Sequence, residues 1–104
     1  MSPHSAADTV GTGAAVALST ILGVDQCKWF QIIGTSITGV PGRVGSSAVS
    51  LDVLSPVVLG RGAPIYANGG QFSPPIAMAM DFYDLTQWFL IMTIGDTASV
   101  ICAI

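Results

Sequence analysis

The sequence predicts an all-β fold, an antiparallel β-sandwich or jelly-roll-like domain of about seven or eight short strands. Glutamate is absent from the chain, so the residues that best form surface helices are scarce. The 12 glycines and 6 prolines supply turn signals at regular intervals. Between these turns lie short runs rich in valine, isoleucine and aromatic residues, which is the composition that strands prefer.

The chain is expected to divide into an extended N-terminal arm, residues 1–13, and a single β-sandwich domain, residues 14–104. The arm is small and polar, and it ends in a Gly-Thr-Gly sequence. Segments of this kind are either disordered or laid on a neighbour. We therefore expect the first strand of the domain to follow the arm.

Several later segments are expected to form strands. They are Ala14–Leu22, Cys27–Ile33, Ala48–Leu54 and Pro64–Tyr66. A short helix is the alternative for the first of them, although its apolar residues show no 3.6-residue period. Gln71–Met80 is expected to begin in an extended conformation, since its two prolines cannot join a central ladder. The segment Asp81–Thr86 is compatible with one helical turn capped by Asp81.

The C-terminal residues predict a central β-hairpin. The strand-like runs Gln87–Ile94 and Thr97–Ile104 are separated only by Gly95 and Asp96. A glycine at the first central position supplies the positive φ of a type II′ turn, which is a favoured hairpin connection. Because both runs are apolar on both faces, we expect the opposing sheet to cover one face of the hairpin and a further partner to cover the other.

The composition indicates that part of the surface is permanently buried in an assembly. The chain is 51% hydrophobic and only 9% charged, with a net charge of −3, whereas an ordinary soluble domain has about 25% charged residues. No apolar run reaches the roughly 18 residues that a membrane-spanning helix needs, and no secretory signal is visible. Three scattered basic residues offer no patch for nucleic acid. An obligate oligomer with apolar interfaces accounts for this composition.

The predicted oligomer interface is the outer face of the C-terminal hairpin. In the register that a two-residue turn imposes, one face mixes large apolar residues with small and polar ones, whereas the opposite face is more uniformly apolar and is expected to face the core. We assign the mixed face, together with the last residue of the chain, to the interface. The residues so assigned are Trp88, Leu90, Met92, Ile101 and Ile104.

Residue types that catalyse reactions or bind metals are sparse. The only histidine, His4, lies in the arm, and the closest pair of acids is Asp81 and Asp84. On one helical turn these acids would share a face and bind a cation weakly, but a helix cap and a polar residue at a strand entry explain them better. Cys27 and Cys102 are predicted to be buried, reduced thiols. We expect no catalytic residue, no metal and no cofactor, and therefore no enzymatic activity.

The second half of the chain contains several stretches with a shared strand-and-turn pattern. They are Arg43–Ser50, Arg61–Gly70, Ser73–Ile76, Tyr83–Phe89 and Gly95–Ile101. Over Lys28–Ile104 the chain resembles small β-structured virion proteins of tailed bacteriophages, and most of all the capsid decoration (cement) proteins. The resemblance implies a place on the capsid surface, binding to the major capsid protein, assembly as a homotrimer and synthesis in the host bacterial cytoplasm. Head fibres and tails use similar domains, so a receptor- or carbohydrate-binding module is the alternative.

Overall fold

Antiparallel pairing joins the strands into three sheets, which confirms the predicted all-β fold class. The computed structural model describes residues 3–38, 40–51, 62–66, 69–78 and 80–103, with side chains from residue 7 onward. Its elements in chain order are β1 (Pro3–Val10), β2 (Val16–Ala17), α1 (Leu18–Leu22), β3 (Gln26–Cys27), β4 (Trp29–Ser36), β5 (Gly42–Gly45), β6 (Ala63–Ile65), β7 (Gln71–Phe72), β8 (Tyr83–Asp84), β9 (Phe89–Ile91) and β10 (Thr97–Ala103).

Two four-stranded sheets share one hydrophobic core, as in a β-sandwich. Sheet A has the strand order β1-β10-β4-β7, sheet B has the order β2-β9-β5-β6, and β3 pairs with β8 in a short ribbon. The core cluster includes Phe30, Ile32 and Val100 from sheet A, and Val44 and Leu90 from sheet B. Inward side chains of both sheets therefore meet in a single core.

The central strand β10 of sheet A alternates between buried and partly exposed residues. Ala98, Val100 and Cys102 are buried, whereas the residues between them are partly exposed. This is the two-residue period of a strand with one face on the core. The other face of sheet A consequently lies on the surface of the domain.

The predicted C-terminal hairpin is wrong, because β9 and β10 lie in different sheets. β9 pairs with β2 and β5, while β10 pairs with β1 and β4. Each strand has a neighbour on both edges and one face on the shared core, which explains why both runs are strongly apolar although they do not pair with each other. Gly95 has the expected positive φ, 90°. It occupies the third position of a turn closed by the Asp96 amide on the Thr93 carbonyl oxygen (3.0 Å), which is the glycine position of a type II turn.

The crossover between the sheets is organised around a buried carboxylate. We refer to residues 92–96, together with Gly11 and Thr38, as the corner. The side chain of Asp96 is only 2% exposed, and its Oδ1 accepts hydrogen bonds from the Thr38 backbone amide (3.3 Å) and hydroxyl group (2.8 Å). The Gly11 amide donates to the Asp96 carbonyl oxygen at 2.7 Å. A Cβ on Gly11 would overlap the Thr93 carbonyl oxygen and lie 2.7 Å from the Met92 Cβ, so only glycine fits there.

Within the segment expected to form an extended arm, Pro3–Val10 forms the edge strand β1. This strand pairs with β10 of the same chain from Pro3↔Ala103 to Val10↔Thr97, with one register shift between Pro3 and Ser5. Ladder hydrogen bonds tie down a terminal segment that would otherwise fray. The N-terminal segment is thus an integral strand of sheet A.

The segment Ala14–Leu22 contains both of the structures considered for it. Val16–Ala17 forms a short strand, and Leu18–Leu22 forms one helical turn that ends at Gly23 with a left-handed φ of 77°. The apolar residues at the two ends of this turn, four positions apart, are both buried. That spacing places them on one face of the helix, where they pack into the core.

The helical turn predicted over Asp81–Thr86 is wrong. Residues Tyr83–Asp84 instead form β8, which pairs with β3. The Asp84 Oδ1 accepts a hydrogen bond from the Thr86 amide at 3.0 Å, as in an Asx turn. Strand pairing with β3, a contact distant in sequence, overrides the local capping pattern at Asp81.

The remaining strand predictions differ in outcome. Cys27–Ile33 lies almost wholly in β3 and β4, Pro64–Tyr66 overlaps β6, and Gln71–Met80 begins with β7, as predicted. Residues 48–51 form no strand, because the Val49 amide donates to the Ser46 carbonyl oxygen (3.1 Å) and closes a turn. The rest of the predicted strand Ala48–Leu54 lies outside the described residues.

Candidate interaction surfaces

The residues predicted to form an oligomer interface do not share a surface. Leu90 and Met92 are 2% and 3% exposed and pack inside the chain's own core, so their assignment to an interface is wrong. Trp88 is partly buried among other aromatic rings, and Ile101 is partly exposed on the outer face of sheet A. Ile104 lies outside the described residues. The assignment relied on the register of a hairpin that the sheet topology replaces.

A series of large apolar side chains projects into solvent from the segment between β7 and β8. At every second position after two consecutive prolines, an apolar residue is exposed: Ile76 by 61%, Met78 by 75%, Met80 by 90% and Phe82 by 47%. We refer to these four residues as the apolar ridge. Exposed apolar surface of this kind marks sites of interaction with another molecule.

Hydrogen bonds to Lys28 hold the backbone of the ridge segment against the domain. The Ala77 amide donates to the Lys28 carbonyl oxygen at 2.8 Å. The Lys28 Nζ donates to the carbonyl oxygen of Met78 at 2.9 Å and to that of Asp81. The same ammonium group lies 4.3 Å from the centroid of the Phe82 ring, a cation–π contact. These contacts hold the backbone at Ala77, Met78 and Asp81, while the apolar side chains of the ridge face solvent.

An aromatic cluster supports the two ends of the ridge segment. The Phe30 ring centroid lies 5.1 Å from that of Trp88, 5.7 Å from that of Tyr83 and 6.0 Å from that of Phe72. Its contacts with Trp88 and Tyr83 have the edge-to-face geometry that aromatic rings favour. The Tyr83 hydroxyl donates to the Pro75 carbonyl oxygen at 2.6 Å, which connects this cluster to the start of the ridge segment.

Carboxylates flank the apolar ridge. Asp81 lies between Met80 and Phe82, Asp84 follows two residues after Phe82, and both are exposed. Strand pairing between β3 and β8 brings exposed Asp25 to the same end of the molecule, where its carbonyl oxygen accepts a hydrogen bond from the Leu85 amide at 2.8 Å. This end of the domain therefore presents an apolar surface with a negative rim.

A shallow groove of about 440 Å³ lies on the outer face of sheet A. Two polar pairs lie along it: the Ser99 hydroxyl donates to the Asp8 Oδ1 at 2.5 Å, and the Gln31 Nε2 donates to the Gln71 Oε1 at 2.6 Å. The groove is lined by Ala7, Asp8, Gln31, Ile33, Ser99, Val100 and Ile101, and Gln71 lies beside it as the partner of Gln31. The groove thus combines an apolar floor with hydrogen-bonding side chains that already contact one another.

The two thiols are buried and are not joined in a disulfide, as predicted. The pKa of the Cys27 thiol is raised from its usual value of 9.0 to about 11, and burial is the largest cause. The nearby Cys102 thiol contributes to this rise, because a second negative charge would repel the first, while a hydrogen bond with the Trp29 backbone acts in the opposite direction. Cys27 is therefore a neutral, unreactive core residue near pH 7.

Within the described residues, no three histidine, cysteine or acidic side chains come together in a group that could hold a metal ion. His4 belongs to the part of β1 whose side chains lie outside this description. Asp84 already accepts the Thr86 amide and hydroxyl on its Oδ1. Over the same described ranges, no helix is long and apolar enough to cross a membrane.

No protein-family model, no curated protein and no solved structure matches this chain. The apolar ridge, the groove on sheet A and the buried thiols are therefore interpreted from their own geometry and chemistry. Of the residues singled out from the sequence, the two thiols lie in the core, Ile101 lines the groove, and Asp81 and Asp84 flank the ridge. A signal for the ridge is nevertheless present, since Ile76, Met78, Met80 and Phe82 are spaced two residues apart after two prolines.

Proposed function

We propose that the chain is a structural virion protein, a capsid decoration protein that binds the phage head as a homo-oligomer and stabilises it. The observation that carries this proposal is the apolar ridge, an exposed apolar surface on a chain with only 9% charged residues. Covering one large apolar side chain fully is worth about 1.5–3 kcal/mol. A partner surface that covers the ridge therefore gains a free energy that the isolated chain leaves unused.

A decoration protein acts through many identical copies. Each copy makes one small contact, and linked contacts in an assembly reinforce one another by multivalency. Such a role requires shape and apolar surface and no catalytic group, in keeping with the absence of enzymatic activity that we expect. The proposed partners are other copies of the chain, as a trimer, and the major capsid protein on the outer surface of the virion.

Mass spectrometry of purified virions of the encoding phage tests the proposed location. We expect peptides of this chain in the particles, at a fixed ratio to the major capsid protein in every preparation. Heads stripped of the chain should lose heat resistance and regain it when the purified chain is added back. Detection of the chain in lysates of infected cells but never in purified particles would contradict the proposal.

Glycan binding is the second candidate function, and the groove on sheet A is the observation that favours it. Side-chain hydroxyl, carboxylate and amide groups lie there beside an apolar floor formed by residues such as Ile33 and Ile101. A few placed polar groups in an apolar pocket are typical of small-molecule sites. Nuclear magnetic resonance titration with host-surface oligosaccharides should then shift the Gln31 and Gln71 side-chain amide signals, and unchanged signals at millimolar sugar would exclude this function.

A further inference from the structure

We infer that the apolar ridge docks onto another protein whose surface is apolar at its centre and lined by lysine or arginine at its rim. This inference deepens the proposed function, and it rests on that function only for placing the partner in a virion. This choice of partner follows from three features: the backbone contacts that hold the ridge, the charges around it, and the small number of basic residues in the chain itself.

Contacts within the chain already hold the backbone of the ridge at three positions. Lys28 binds the carbonyl oxygens of Met78 and Asp81, and the Ala77 amide binds back to the Lys28 carbonyl oxygen. A segment held in this way loses little conformational entropy when it binds, and such preorganisation improves affinity. Methionine side chains, which are flexible and polarisable, adapt well to an irregular apolar surface.

The charges near the ridge select the chemistry of the partner. Asp25, Asp81 and Asp84 are exposed around it, while the ammonium group of Lys28 is directed onto ridge carbonyl groups and the Phe82 ring. Complementary charge guides association and excludes wrong partners. A basic rim matches these carboxylates, whereas an anionic lipid surface would be repelled by them.

A second copy of the chain does not supply such a rim. The sequence has three basic residues, Lys28, Arg43 and Arg61. Lys28 already contacts the backbone of the ridge. Arg43 donates from its guanidinium group to the Gly62 carbonyl oxygen at 2.9 Å. Arg61 lies outside the described residues. The described surface of the chain therefore favours a different protein as the occupant of the ridge, which under the proposed function is the capsid shell.

Two synthetic peptides of matched shape test the chemistry directly. Each is an amphipathic helix of about 15 residues, one made of leucine and lysine and the other of leucine and glutamate, and binding to the full chain is measured by fluorescence anisotropy. We expect the leucine–lysine peptide to bind at least about tenfold more tightly than the leucine–glutamate peptide, a difference of about 1.4 kcal/mol. Its affinity should fall as the salt concentration rises.

Variants assign the binding to the ridge. Met78→Ser/Met80→Ser should weaken binding of the leucine–lysine peptide at least about tenfold, as expected for central apolar contacts. Asp81→Asn should weaken it about twofold to fivefold and reduce its salt dependence. Tyr66→Ser, at an exposed apolar residue outside the ridge and the corner, is the control and should bind normally. If the double variant unfolds, Met80→Gln, at the most exposed ridge position, replaces it.

Other outcomes overturn the inference. Equal affinity for the two peptides would show that the partner of the ridge needs no basic rim. Ridge-dependent binding to phosphatidylcholine–phosphatidylglycerol vesicles without peptide binding would make a membrane the occupant. Ridge-dependent self-association in sedimentation velocity would make a second copy the occupant. The proposed function is tested separately. The chain can be found in virions even if the ridge binds neither peptide, and its absence from virions would not change what the ridge binds.

Discussion

The corner and the apolar ridge are both irregular segments held by one charged side chain, yet they direct their side chains in opposite ways. At the corner, the Asp96 carboxylate is buried and accepts hydrogen bonds from the amide and hydroxyl groups of Thr38. At the ridge, Lys28 binds backbone carbonyl groups while the neighbouring apolar side chains face solvent. One segment places a polar group inside the domain, and the other places apolar groups outside it.

This difference separates residues that stabilise the fold from residues that are available for binding. The corner joins the two sheets, so a defect there affects the core on both sides. Ile76, Met78 and Met80, the three most exposed ridge side chains, contribute little to the free energy of unfolding, because they remain largely in solvent after folding. We therefore expect substitutions at the corner to change stability and substitutions at the ridge to change binding.

The largest expected effect is that of Gly11→Ala at the corner. The added Cβ would overlap the Thr93 carbonyl oxygen. Forcing atoms into a packed site lowers the free energy of unfolding by about 3 kcal/mol where the surroundings cannot move. Urea unfolding followed by tryptophan fluorescence measures the loss. Gly23→Ala is the matched control, since Gly23 has a φ of 77° but no atom within 4 Å of the added Cβ, and it should cost about 1 kcal/mol. Equal losses for the two variants would mean that the corner is not closely packed.

A pH-dependent loss of stability is expected from Cys27. Its pKa rises from 9.0 to about 11 on folding, so between these pH values the folded state keeps a proton that the unfolded state has lost. The free energy of unfolding must therefore fall as the pH rises through this window, by about 1.4 kcal/mol per pH unit and by up to about 3 kcal/mol in total. Urea unfolding at pH 8, 9, 10 and 11 measures the slope.

Cys27→Ala is the control for this pH dependence. The variant retains every other ionisable side chain of the chain, so the difference between the two slopes belongs to the Cys27 thiol. Identical slopes in the parent chain and in Cys27→Ala would show that the thiol is exposed to solvent in the folded state.

A smaller loss is expected when the carboxylate of the corner is removed. Asp96→Ala leaves the Thr38 amide and hydroxyl groups without their acceptor, and an unsatisfied buried donor costs about 1–3 kcal/mol. Asp96→Asn keeps an oxygen that can accept both hydrogen bonds, so it should retain more of the stability than Asp96→Ala in the same urea experiment. If the two variants are equally destabilised, the hydrogen bonds to Thr38 do not explain the contribution of Asp96.

The fold class could be predicted from the sequence because strand composition and turn residues are local properties. The all-β prediction and the strand at Cys27–Ile33 depend on runs that prefer extended structure in most surroundings. The partner of a strand is not a local property. Two apolar runs joined by Gly95-Asp96 satisfy the hairpin pattern, but β9 and β10 gain more by pairing with strands that lie far away in the chain.

The candidate surface could not be predicted for a related reason. A period of two in Ile76, Met78, Met80 and Phe82 is equally compatible with a buried strand face and with an exposed one. The segment is held in place by Lys28, about fifty residues earlier in the chain, and that contact exists only after folding. The predicted interface failed for the same reason, since the burial of Leu90 and Met92 depends on which sheet contains β9.

The smallest expected effect distinguishes the ridge from the corner most directly. Urea unfolding of Ile76→Ser/Met78→Ser/Met80→Ser measures how much the three most exposed ridge side chains stabilise the fold. We predict that the free energy of unfolding changes by no more than about 0.5 kcal/mol, the range typical of surface substitutions. A loss of several kcal/mol, as large-to-small substitutions in a core produce, would show that these side chains are buried in the folded chain and that the ridge is not a surface available to a partner.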